Sequence, residues 1–160
     1  MGSMEKKQSF KLLGANFNAG GDFIDTANFY QIGESETWIG EWMAVRGKRD
    51  RIVLATKFIN DYKSSQYGKG KAPNLTGNYK RSLHVSIRDS LAKLLTDWID
   101  ILYVHWWDWS TSIEEVVDAL HILFQQGKVL FLGISDCRPR VVSAAITYAR
   151  AHGKTPFSIY

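Results

Sequence analysis

The chain has 160 residues, of which 45% are hydrophobic and 22% charged, and carries a formal net charge of +4. That is the length of one ordinary domain with enough apolar material for a core, which excludes a disordered or low-complexity protein. No stretch approaches the roughly 18 apolar residues of a spanning helix. The opening MGSMEKKQSF has no apolar leader core, and the single cysteine, Cys137, leaves no internal disulfide, so a cytoplasmic protein is expected.

Phe10, Leu13 and Phe17 recur at helical spacing and predict an amphipathic helix stopped by Gly20-Gly21. Phe23-Ile24 is a short apolar strand ending in Asp25. Trp38, Trp42 and Met43 give a second helical face that stops near Gly47. Ile52 to Ala55 is a continuous apolar run ending in Lys57, and residues 60–79, rich in Lys, Ser, Gly and Asn, predict a flexible loop. Leu83, Ile87, Leu91 and Leu94 mark a longer helix, and Ile99 to Val104 a buried strand that ends in His105. Ser112 and Glu115 form a capping box for a helix carrying Val116, Val117, Leu120 and Leu123, closed by Gly127. Val129 to Ile134 is the next strand, ending in Ser135-Asp136. Pro139 opens a helix with Val142, Ala145 and Ala149, and Phe157 to Tyr160 begins one more strand.

Alternation of this kind predicts an α/β fold of parallel strands joined by crossover helices. The strands are unbroken apolar runs, as in a sheet covered on both faces. No G-x-G-x-x-G follows the first strand, which argues against a doubly wound dinucleotide-binding sheet. The pattern fits a partial TIM (β/α)8 barrel of about five parallel strands with flanking helices, the first strand and the last strands missing. Residues 1–160 then form a single partial barrel domain, with the 60–79 loop inside it.

The polar residues sit where such a fold places chemistry. Asp25, Lys57, His105 and the pair Ser135-Asp136 each follow an apolar strand. Parallel strands gather those ends on one rim, the rim that carries active sites in barrels. Tyr30 lies five residues past Asp25. A phenol beside an ammonium gives up its proton more readily, and a carboxylate can hold that ammonium in place. Any one of these residues alone reads as a solvated turn or an ion pair; four convergent ends favour a catalytic cluster. His84, His121 and His152 fall on helices and read as structural. The basic clusters at 46–51 and 63–71 fall in loops rather than along one face, which argues against nucleic-acid binding.

Phe23-Ile24-Asp25-Thr26-Ala27, followed by Tyr30, Gly33-Glu34-Ser35-Glu36 and Gly40, resembles the signature of the aldo-keto reductases. Ala55-Thr56-Lys57, Tyr103-Val104-His105-Trp106 and Gly133-Ile134-Ser135-Asp136 are similar to later segments of that family. Trp38 to Trp42, His105-Trp106-Trp107-Asp108, Gln126 to Val129 and Gly153 to Phe157 resemble the fungal aryl-alcohol dehydrogenases within it. The resemblance implies NADPH-dependent reduction of aromatic aldehydes or ketones to alcohols, or of a carbonyl in fungal secondary metabolism. It implies Tyr30 as the proton donor, Asp25 and Lys57 as its support and His105 as the residue that orients the carbonyl. Ser135 and Asp136 would hold the nicotinamide carboxamide, with Asp25 also on the cofactor side, and Trp106 would wall an aromatic pocket. No metal is implied. Because the matched segments begin and end inside the family's barrel, the competing expectation is a truncated, non-catalytic remnant. A binding subunit is a weaker one. Exposed strand edges would favour self-association.

Overall fold

The computed structural model describes residues 4–160; Met1 to Ser3, the start of the N-terminal stretch read above, lie outside the described residues. The elements run α1 (Lys6–Asn18), β1 (Phe23–Asp25), α2 (Glu34–Arg46), β2 (Val53–Phe58), α3 (Ser64–Tyr67), α4 (Lys80–Leu94), β3 (Ile99–Val104), α5 (Ile113–Gln125), β4 (Val129–Ile134) and α6 (Pro139–Ala151). The strands form one parallel sheet in the order β1-β2-β3-β4. Sequential parallel neighbours joined by helices are the repeating unit of a TIM barrel, of which this is a part.

Register decides which side chains share a face. Asp25 pairs with Ala55, Ala55 with Ile101 and Ile101 with Phe131, while Lys57 lies level with Tyr103 and Tyr103 with Gly133. Side chains alternate along a strand, so Asp25, Lys57 and Tyr103 stand on one face. Ile24, Leu54, Leu102 and Leu132 stand on the other, buried beneath the helices. There they meet Ile39, Trp42 and Met43 of α2, Leu83, Ile87 and Leu94 of α4, Val116 and Leu120 of α5, and Ala145 and Ala149 of α6. The helix-free face is more open, with Phe23, Val53 and Phe131 exposed on it.

Helices α2 and α4 approach at Gly40, where a Cβ would lie 2.3 Å from the Lys93 carbonyl oxygen. The glycine therefore sets how near the two helices lie, and α4 is where Lys93 meets the residues under the rim.

Three expectations change in detail. The segment from Phe157 is no full strand: it meets β4 through an isolated bridge from Gly133 to Ile159. Its backbone bonds are Ser158 N–H to the Leu132 carbonyl and Ile134 N–H to the Ile159 carbonyl, both 3.0 Å, and the Ser158 and Tyr160 hydroxyls add bonds to the Leu132 and Cys137 carbonyls. Pro156 just before it has no N–H to extend the ladder. The 60–79 region carries α3 and a 3-10 turn at Pro73–Leu75, with Tyr62 and Ala72 buried. The capping box is half made. Ser112 Oγ accepts from the Glu115 N–H at 3.2 Å, but Glu115 Oε1 accepts from the Lys80 N–H at 3.0 Å. One carboxylate thus caps α4 instead of its own helix, since Lys80 begins a helix whose Tyr79 cap offers no side-chain acceptor.

Candidate active site

Strand β1 is only three residues long, yet its pairing continues beyond Asp25. The Thr26 N–H reaches the Ala55 carbonyl at 2.9 Å and the Asn28 N–H reaches the Lys57 carbonyl at 3.0 Å. The chain then turns sharply. Gln31, Ile32 and Gly33 take φ values of 51°, 59° and 89°, three successive left-handed residues directly after Tyr30. Glycine suits that conformation; a β-branched isoleucine does not. The turn folds the chain back over the sheet, placing the Tyr30 ring beside Lys57 and His105.

Lys57 is the centre of the cluster. Its ammonium, nearly buried, donates to Asp25 Oδ2 at 2.5 Å and to the Thr26 carbonyl at 2.9 Å. The same nitrogen stands 5.3 Å from the centre of the Tyr30 ring and 5.8 Å from that of Tyr103. The Tyr30 and His105 rings meet edge to face with centres 5.8 Å apart, and Phe29 packs on both. Burial, followed by the nearby positive charge of Lys57, holds the His105 imidazole below its ordinary value, against opposing pulls from Asp25 and Asp136. The uncharged form of the ring is therefore favoured. Asp25, Tyr30, Lys57 and His105 form one contiguous group.

Ser135 and Asp136 lie beside it, at the end of β4. The Ser135 N–H donates to the Val104 carbonyl at 2.9 Å, which sets the pair next to His105. Asp136 is exposed and left-handed, with φ 46°, a conformation that aspartate tolerates. Among the described residues neither side chain makes an internal hydrogen bond. Trp106 is 38% exposed and Trp107 is 5% exposed, so the first faces the rim and the second packs in the core. Trp109 is exposed, with the guanidinium groups of Arg138 and Arg140 against its ring. His84 is exposed on α4, His121 Nδ1 bonds to Thr155, and His152 caps α6.

Two parts of the site escaped the sequence reading. Asn60, just past β2, lies 3.3 Å from His105 Nδ1 through its amide nitrogen, and its amide oxygen accepts from Trp106 Nε1 at 3.3 Å. It falls in an irregular loop, where nothing in the sequence singles it out.

The other is a polar cluster on the helix-covered side of the sheet. Glu36, fully buried in the first turn of α2, accepts from Thr56 Oγ1 at 2.7 Å and from Lys93 Nζ at 2.9 Å. Lys93 also donates to the Asn28 carbonyl at 3.3 Å, and the Thr26 and Ser35 hydroxyls bond at 2.8 Å. A signal for it existed. Glu36 shares the stripe of Ile39, Gly40 and Met43, so a helical projection puts a carboxylate among core residues.

The arrangement can hold and polarise a small polar group at the rim. The Tyr30 ring, the Lys57 ammonium and the His105 ring lie together at one end of the sheet, with Trp106 next to His105. The full chain, residues 1–160, matches the aldo/keto reductase family, and the chain belongs to that family. It is 68% identical over 160 residues to a Saccharomyces cerevisiae protein named probable aryl-alcohol dehydrogenase AAD4, covering 100% of this chain and 49% of that one. It is 60% identical to the aldo-keto reductase ausK of Emericella nidulans, covering 100% of this chain and 40% of that protein. It is 55% identical to the aryl-alcohol dehydrogenase [NADP(+)] of Phanerodontia chrysosporium, covering 100% and 42% respectively. The chain spans less than half the length of these relatives.

Proposed function

We propose that these residues form the proton-transfer half of an NADPH-dependent reductase that converts aromatic aldehydes or ketones to alcohols. The observation that carries the reading is the convergence of Asp25, Tyr30, Lys57 and His105 about the Lys57 ammonium. The carbonyl oxygen would sit between the Tyr30 hydroxyl and the His105 imidazole. Tyr30 delivers its proton to that oxygen, while Lys57, anchored by Asp25 and the Thr26 carbonyl, offsets the negative charge left on the phenol. His105 orients the carbonyl, and Trp106 offers an apolar wall to an aryl ring.

The donor set at the end of β4 fits a nicotinamide carboxamide. The Ser135 hydroxyl can donate to its carbonyl, and the Asp136 carboxylate can accept from its amide nitrogen. NADPH, when bound there, supplies the hydride that the carbonyl carbon takes up. The named relatives support an aryl carbonyl as substrate; a carbonyl of a fungal secondary metabolite is the other class compatible with the same site.

A second reading is a non-catalytic remnant, supported by the 40–49% of the relatives that the chain covers. Phosphate grips in barrels are built mainly by the loops after the last two strands. Titrating the chain with NADPH while following its six tryptophans separates the two readings. Saturable quenching at micromolar cofactor, then turnover of an aromatic aldehyde that Tyr30→Phe abolishes with little change in NADPH affinity, is the outcome expected. Turnover retained by Tyr30→Phe sinks the assignment of Tyr30.

No helix among the described residues is long and apolar enough to cross a membrane. A cytoplasmic setting is part of the proposal, supported by the one free cysteine, Cys137, whose thiol burial pushes up to about 11, with Asp136 adding to the effect. Self-association is also proposed. It is supported by the unpaired outer edge of β1 among the described residues and by exposed Phe23, Val53 and Phe131 on the sheet.

A further inference from the structure

We propose that Asn60 and Trp106 are positioning residues that fix His105 in the tautomer with its proton on Nε2, leaving that N–H to face the substrate carbonyl. The inference rests on the reading of the site given above and assigns it two residues for which no role in orienting His105 has been given.

The reasoning begins at the indole. A tryptophan Nε1–H can only donate. Its partner at 3.3 Å must therefore be an acceptor, which makes the near end of the Asn60 amide its oxygen. That leaves the amide nitrogen, which can only donate, facing His105 Nδ1 at 3.3 Å. Nδ1 must then accept, so it carries no proton, and in a neutral ring the proton sits on Nε2. One donor-only group at the start of the relay thus determines the protonation of the ring at its end.

The backbone holds Asn60 in place for this task. Ile59 before it has φ 127°, a conformation that a β-branched residue adopts only under strain, and its side chain is buried. Its carbonyl is held from two sides, by Thr76 Oγ1 at 2.7 Å and the Gly77 N–H at 2.8 Å. The 60–79 region therefore contributes to the site by pinning the residue that precedes Asn60. The relay also joins two functions: the aromatic wall and the carbonyl-orienting ring are tied through one amide, so a ligand that displaces Trp106 would also release His105.

Asn60→Asp is the decisive variant, because it keeps the shape and turns the donor into an acceptor. With the chain labelled at its histidine nitrogens and the His105 signals assigned by their loss in His105→Gln, long-range proton–nitrogen spectra at pH 8 read each ring nitrogen. In the unsubstituted chain Nδ1 is expected in the unprotonated range. In Asn60→Asp it should move to the protonated range, whether the ring becomes neutral or charged, because the carboxylate can only accept. Trp106→Phe removes the donor that fixes the amide, and should bring Nδ1 to an intermediate position. In a catalytically competent full-length protein carrying this segment, Asn60→Asp should lower kcat by roughly 10²-fold with little change in KM, as expected for loss of one donor to a developing oxyanion.

An unchanged Nδ1 signal in Asn60→Asp, or in Trp106→Phe, overturns the relay. The nitrogen spectra need neither cofactor nor turnover. If Tyr30→Phe stays active the catalytic reading fails while the spectra still report on the relay. If Tyr30→Phe is inactive and the spectra never change, the relay alone fails.

Discussion

On the helix-covered side of β1 and β2, Thr56 and Lys93 satisfy the buried Glu36 carboxylate, and the Thr26 and Ser35 hydroxyls satisfy each other. On the β4 side, Ser135 and Asp136 stand at the surface with no internal side-chain hydrogen bond among the described residues. Both regions are polar and both end apolar strands, but they solve different problems. A polar group inside a protein has to be paired by the protein itself, at a cost of about 1–3 kcal/mol if it is not. A polar group at an open rim is paired by water until something replaces the water. The first region therefore has its geometry before any ligand arrives. The second keeps its donors and acceptors for an incoming group.

The sharpest way to break this contrast is Lys93→Met. It leaves the Glu36 carboxylate buried with Thr56 as its one remaining partner, and removing one member of a buried pair costs about 3–5 kcal/mol. Urea unfolding should show a lower midpoint at an unchanged slope. Glu36→Gln combined with Lys93→Met removes both charges and should recover much of the loss, since a neutral pair of similar volume needs no charge partner. A Lys93→Met chain that unfolds like the parent would mean that the buried Glu36 does not depend on Lys93, and the contrast would fail.

Asp136→Ala probes the other region and should do the opposite. Its carboxylate meets no internal donor, so the cost in stability should be no more than the roughly 1 kcal/mol of placing alanine at a left-handed φ, well short of Lys93→Met. Affinity for NADPH should fall about tenfold, the loss of one charge-assisted hydrogen bond. If stability falls as far as in Lys93→Met, the two regions are alike and the contrast is wrong. If affinity is untouched, Asp136 is no part of the proposed cofactor site.

The same contrast explains what could be read from the sequence. Asp25, Lys57, His105 and Ser135 were legible because each lies at or just past the end of an apolar run, and a parallel sheet turns that one-dimensional position into a shared rim. The three ladders and the helices between their strands followed from the same runs. Asn60 and Lys93 were not legible. Asn60 depends on the unusual backbone at Ile59, which no local pattern announces. Lys93 depends on α2 and α4 touching at Gly40, a contact between segments more than fifty residues apart. Glu115 shows the limit in miniature: the spacing from Ser112 was right for a capping box, but its carboxylate accepts from the Lys80 N–H on another helix.

The smallest effect tests how Tyr30 is delivered to the site. Ile32 is 69% exposed, so its side chain contributes little packing, yet it occupies a left-handed conformation between Gln31 and Gly33. For a residue other than glycine that conformation costs roughly 1–2 kcal/mol. Ile32→Gly removes the strain but adds freedom to the unfolded chain, and the two effects partly cancel. A net stabilisation of about 0.5–1 kcal/mol is expected, read as a higher urea midpoint at the same slope. The turn then keeps its path because its neighbours fix it, with Gly33 left-handed on one side and Asn28 bonded to the Lys57 carbonyl on the other. A destabilised Ile32→Gly chain would show that Ile32 earns its conformation through a contact. The path of the chain after Tyr30 would then depend on that contact as well as on its neighbours.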